Sequence, residues 1–202
     1  MKKIFSLLAL ALLVVLFCFY FFPKQPKNIF DEIYHETEKT YRSNNILRNI
    51  DGFKIRPDWS SDDPNISYTP FGKYETLPKG YSDITIDLNF GKGIKGVLIL
   101  FERKTNSNIT LWYSAHYNIK KKVLKKELAI FEEPRKPGQF IDDEEKVREY
   151  LRKNNISKEE LEKDYDEIIN QKVLKDWCSI YDSKYSPSNY GEVKIETQWE
   201  NW

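Results

Sequence analysis

The sequence predicts an α+β domain, a curved and mainly antiparallel sheet with about three helices packed on one face, carried behind an N-terminal transmembrane helix. Three observations lead there. Ile4 to Phe22 is an unbroken apolar run; the middle of the chain alternates apolar and polar residues with period two; and the stretches on either side of that middle return to helical spacing.

The apolar run IFSLLALALLVVLFCFYFF follows Lys2 and Lys3, carries no charge, and has Ser6 as its one clearly polar side chain. As a helix it reaches about 28 Å, close to the roughly 30 Å hydrocarbon thickness of a bilayer. A cleaved signal peptide is the competing reading, but it needs small residues at its cleavage site, and this run ends in Phe19, Tyr20, Phe21, Phe22 and Pro23. Phe17 before Cys18 likewise fails to make a lipoprotein signal. The expected organisation is an uncleaved anchor over 1–22, a proline-containing spacer over 23–27, and one domain over 28–202, a length that supports a proper core. Lys2 and Lys3 on one flank are matched by Lys24 and Lys27 on the other, so basic residues alone leave the orientation nearly tied. The short basic head favours a signal-anchor, with the domain outside the cytoplasm.

Asn28 is placed to cap a helix over 29–42, with Asp31 and Glu32 in its first turn where the dipole favours anions. Residues 52–56 and 67–76 are short candidate strands, interrupted by Pro57, Pro64, Pro70 and Pro78. Ile84, Ile86, Leu88 and Phe90 alternate with Asp83, Thr85, Asp87 and Asn89, which predicts a half-buried strand. The glycines of 91–96 turn the chain into a more buried return strand, VLILFE, and strands over 109–117 and 123–132 complete a meander. Val147, Tyr150 and Leu151 mark a helix that stops near Asn154 and Asn155. Ser157-Lys158-Glu159-Glu160 is a capping box opening a second helix to about Tyr181. A final strand over 190–199 alternates Val193, Ile195, Thr197 and Trp199 with Glu192, Lys194, Glu196 and Gln198.

Residues suited to catalysis are scarce. The chain has two histidines, His35 and His116, and lacks His-Glu-x-x-His, Cys-x-x-Cys, Gly-x-Ser-x-Gly and the phosphate-binding Gly-x4-Gly-Lys-Ser/Thr. No metal or cofactor is expected. Cys178 is the only cysteine beyond the apolar run, so the domain has no internal disulfide. With 32 basic against 31 acidic residues, no global charge argues for nucleic acid. Asp142-Asp143-Glu144-Glu145 is explained by helix capping. The run from Lys120 to Lys126 reads as a solvated turn and edge strand, or as a patch attracted to anionic lipid heads or wall polymers.

A binding surface remains. Strand alternation puts Asp83, Thr85, Asp87, Asn89, Ser114, His116, Glu192 and Glu196 on one polar sheet face, which is free for a partner if helices cover only the opposite face. Most strand aromatics, among them Trp112, Tyr113, Tyr117 and Trp199, are expected in the core.

The anchor, the strand Ile84-Thr85-Ile86-Asp87-Leu88-Asn89-Phe90, and the C-terminal Lys175-Asp176-Trp177, Tyr181-Asp182-Ser183-Lys184-Tyr185-Ser186-Pro187 and Val193-Lys194-Ile195 together resemble the TipC family of immunity proteins over essentially the whole chain. The resemblance implies a membrane-anchored protein of a Gram-positive bacterium with its domain facing the cell wall. It implies a crescent-shaped fold whose concave sheet face binds a TelC-type toxin, here expected as a 1:1 complex. Such toxins leave the producer by the type VII secretion system and degrade lipid II outside the membrane. The family acts by occlusion, so no catalytic residue carries over. The alternative is an extracytoplasmic enzyme or sensor of envelope material using Asp83, Asp87 and Glu102.

Overall fold

The computed structural model describes residues 12–13, 25–40, 46–56, 71–88, 95–105, 108–134 and 140–199. The predicted anchor over 1–22 lies outside these apart from Leu12 and Leu13, which are helical and exposed. Among the described residues no helix is long and apolar enough to cross a membrane.

Asn28 opens helix α1 (Ile29–Thr40) as its sequence position predicts: its side-chain oxygen accepts from the Asp31 backbone N–H at 2.8 Å, satisfying one of the first-turn donors. A short 3₁₀ turn (Ile46–Asn49) leads into strands β1 (Phe53–Arg56), β2 (Phe71–Tyr74), β3 (Tyr81–Leu88), β4 (Gly96–Lys104), β5 (Ile109–Asn118) and β6 (Val123–Glu132). Each pairs antiparallel with the next, so the predicted meander is present, and β1 and β2 extend it as short strands. At Gly72 an added Cβ would lie 2.4 Å from the Phe53 ring, so β2 approaches its neighbour in a way only glycine permits.

Helix α2 (Glu144–Lys153) is capped by Asp143, and α3 (Lys158–Tyr165) by Ser157, whose hydroxyl accepts from the Glu160 N–H at 3.2 Å. The Glu160 carboxylate pairs with Arg103 of β4 at 2.7 Å, tying the helix start to the sheet. The helical run then widens into a π-helical stretch (Asp166–Leu174) before α4 (Lys175–Ile180). Its buried residues Ile168, Ile169, Val173 and Leu174 recur five apart, the spacing that i→i+5 bonding brings onto one face.

β7 (Lys194–Thr197) joins β6 in parallel, because the chain has crossed through the helices and returns in the same direction. This corrects two expectations. The last strand is shorter than 190–199, and the Lys120–Lys126 segment is not a sheet edge, since Val123 to Lys126 are paired with β7.

The core lies between the helices and one sheet face. Ile84, Phe101, Tyr113 and Leu128 form one cross-strand row, Leu88, Val97, Tyr117 and Leu124 another, and all are buried. Phe101 and Tyr113 stack at 4.5 Å between centroids, and Tyr165 meets both edge-on at 5.3 Å.

Candidate functional site

The register places the opposite face residue by residue. One row runs Asp83, Glu102, Trp112, Ala129; the next Lys73, Thr85, Leu100, Ser114, Glu127; the third Asp87, Leu98, His116, Lys125, Glu196. Six of the expected partner-binding residues, Asp83, Thr85, Asp87, Ser114, His116 and Glu196, therefore share one face. Asn89 lies outside the described residues.

Glu192 is the exception. It precedes β7, pairs with Lys27 at 3.2 Å, and is held off the ladder by a turn at Gly191. Gly191 has φ +82°, and a Cβ there would sit 2.6 Å from the Lys27 carbonyl oxygen, so strand geometry stops at this point. Alternation in sequence continued through a stretch that the backbone does not treat as a strand.

The face is also less polar than its sequence reading. Leu98, Leu100, Trp112 and Ala129 floor a groove of about 720 Å³, and Phe140 walls it, packing on Trp112 and Phe131 with centroids 6.4 and 6.0 Å apart. Glu127, Asp142 and Glu144 add carboxylates to its lining. Beside it lies a smaller hollow of about 400 Å³ lined by His116, Lys121, Lys125, Glu127 and Glu196, where both signs of charge meet. His116 joins the two, its Nδ1 3.9 Å from Glu127. Burial lowers the His116 pKa, with Glu127 opposing and Lys125 adding to the shift, which favours the neutral imidazole.

Reading VLILFE as one buried strand hides the groove residues. The signal was present: Leu98 and Leu100 occupy the same positions as Glu102, the opposite set from Val97, Ile99 and Phe101.

The covered face holds this surface in place. Tyr165 of α3 donates its hydroxyl to the carbonyls of Ser114 at 3.0 Å and Glu127 at 2.7 Å, fixing the backbone behind two groove residues. Buried Asp164 accepts from the hydroxyls of Tyr81 and Tyr113 and pairs with Arg103 at 2.7 Å. Its burial raises the carboxyl pKa, while Tyr113, Arg103 and Tyr81 pull it back.

For chemistry the arrangement offers little. Asp83 stands opposite Glu102, but Asp87 faces Leu98, so the three carboxylates of the enzyme reading do not converge. Among the described residues no three His, Cys, Asp or Glu side chains are grouped to hold a metal ion. A mixed groove with an apolar floor and a charged rim has the anatomy of a protein-binding surface.

Comparison with known proteins agrees with the fold. TipC2 from Streptococcus intermedius B196 has a solved structure that superposes with a TM-score of 0.78 at 41% sequence identity, covering 88% of this chain and 99% of that one. No curated protein matches. The profile of the family described as TipC immunity protein-like matches residues 1–198. The seven-stranded sheet, the helices laid on one side of it, and this match over nearly the full length together place the chain in the TipC immunity protein-like family.

Proposed function

We propose that the chain neutralises a secreted antibacterial toxin of the TelC type, exported by a type VII secretion system, by occluding it in a 1:1 complex on the open sheet face. Residues 1–22 anchor the protein in the membrane of a Gram-positive cell, with the domain outside the cytoplasm where the toxin arrives. The single observation that carries this reading is the groove. Leu98, Leu100, Trp112 and Phe140 form an apolar patch that the described residues leave partly open, inside a rim of charge, on a chain whose family is one of immunity proteins.

The test mixes the full chain, purified in detergent, with the toxin encoded beside its gene, and reads complex mass by light scattering and protection by survival of toxin-exposed cells. A stable 1:1 complex and survival are expected. Absence of a complex with every neighbouring toxin sinks the reading. Replacing both Asp83 and Asp87 by Lys puts repulsive charge on the open face and should cost several kcal/mol of affinity; unchanged binding means another surface is used.

The enzyme reading draws on one observation, the opposition of Asp83 and Glu102 on neighbouring strands. Glu102→Gln separates the two. Complex formation and protection are read together: in a binder they move in step, whereas an enzyme relying on that pair loses protection with the complex intact.

A further inference from the structure

We propose that the turn between β5 and β6, carrying Lys120 and Lys121, makes a second membrane contact by binding anionic phospholipid headgroups beside the anchor. The inference rests on the anchored reading above and adds to it how the domain stands on the lipid.

The geometry begins where the chain enters the domain. The Tyr185 hydroxyl donates to the Pro26 carbonyl at 2.7 Å, and the Lys27 carbonyl accepts from the Glu192 N–H at 3.0 Å, so the chain is already held at Pro26. Between Phe22 and Pro26 only residues 23–25 remain, a spacer that spans at most about 14 Å fully extended at roughly 3.5 Å per residue. The end of the domain that carries Pro26 therefore stays close to the bilayer.

The β5–β6 turn is stitched to that same end. Asn28 donates to the Tyr117 hydroxyl at 2.5 Å, Tyr117 donates to Asp31 at 2.8 Å, and Lys122 pairs with Asp31. The Lys194 N–H bonds the Lys122 carbonyl at 2.9 Å, closing the C-terminal strand onto the turn. Lys122 adopts φ +58°, a conformation that glycine or asparagine takes more readily; lysine there supplies the charge that meets Asp31.

The charges then do not balance. The carboxylates that the described residues place near the turn are Asp31, Glu192 and Glu196, which pair with Lys122, Lys27 and Lys194, and Glu127, which shares the smaller hollow with Lys121 and Lys125. Lys120 and Lys121 are exposed, and with Lys125 they outnumber the one carboxylate, Glu127, left on that side. Surplus lysines on a turn bonded to the same end of the domain as Pro26 fit anionic headgroups, whose attraction acts within a Debye length of about 8 Å at physiological salt.

The test uses the full chain in nanodiscs of phosphatidylcholine alone or with about one third phosphatidylglycerol. A water-soluble acetylating reagent labels exposed amines, and mass spectrometry reads the rate at each lysine. Lys120 and Lys121 should label several-fold more slowly with phosphatidylglycerol present, and about 0.5 M salt should abolish the difference. Exposed Lys79 and Lys104, at the other end of the sheet, should not change. Equal labelling of the turn in both discs overturns the proposal while leaving the anchor intact. A chain that enters neither disc overturns the anchor and this inference with it.

Discussion

Along β4 the residues Val97, Ile99 and Phe101 are at most 1% exposed, whereas their alternates Leu98, Leu100 and Glu102 stay partly open to solvent. A weaker contrast runs across β3, β5 and β6, where Thr85, Thr110, Ser114 and Ala129 on the open side are themselves buried. On the covered side, helices complete every row with aromatic and aliphatic packing. On the open side, among the described residues, apolar side chains of the same kind meet Phe140 and the polar lining residues Asp142, Glu144 and Gln198. The covered face therefore sets stability, and the open face is apolar beyond what folding needs, a surplus that makes sense when it is buried against another molecule.

Alkaline pH should break the comparison most sharply, because the buried phenols belong to the helix-covered side. Burial is the first cause holding Tyr74, Tyr81, Tyr113, Tyr117 and Tyr165 well above the ordinary tyrosine range, and it pushes Tyr190 up to about 12. A folded pKa above the unfolded value of about 10 means stability is full below pH 10 and is lost as pH rises beyond it, by up to about 1.4 kcal/mol per pH unit for each phenol. Circular dichroism should show cooperative unfolding beginning above about pH 10. A transition that stays flat to pH 12 would contradict the burial of these rings.

Phe101→Ala removes the ring at the centre of the covered rows and should cost about 3–5 kcal/mol in urea unfolding. Toxin affinity, measured where the variant is still folded, should hardly change. Trp112→Ala reverses the pattern. Titration calorimetry should show affinity for the toxin falling by about 2 kcal/mol, roughly 30-fold, with a smaller change in thermal stability. The smallest effect is Ser157→Ala, which removes the cap of α3 and should lower stability by about 1 kcal/mol in the same urea experiment without touching either face directly. A Trp112 variant that loses stability but keeps its partner would erase the division between the faces.

Much of this division was legible in the sequence. Ile84, Ile86 and Leu88 declared their face by alternation, Asn28 and Ser157 announced helix starts through local capping chemistry, and β6 fell where its residues predicted. What stayed hidden depends on contacts between distant residues. The parallel docking of β7 needs the path of the helices, and Glu192 leaves the ladder because Gly191 is pressed against Lys27, far away in sequence. Trp112 shares its face with Ser114 and His116 by the same alternation, and what hid it is the general expectation that strand aromatics lie in the core. Asp164 lies in a charged stretch of α3, and its burial follows from Arg103 and two tyrosines brought from other strands.

If residues 1–22 anchor the chain as proposed, the domain is also a mechanical part. The clasp of Asn28, Asp31, Tyr117 and Lys122 hands any pull from the N-terminal side to β5, which is bonded along its length to β4 on one side and β6 on the other. Tension is thereby shared between the two long ladders of β5 and the segment before β7, which holds Pro26 and Lys27 through Tyr185 and Glu192. Drag on a captured toxin would load the stiffest part of the fold, and the groove, built on those same strands, would keep its shape under strain.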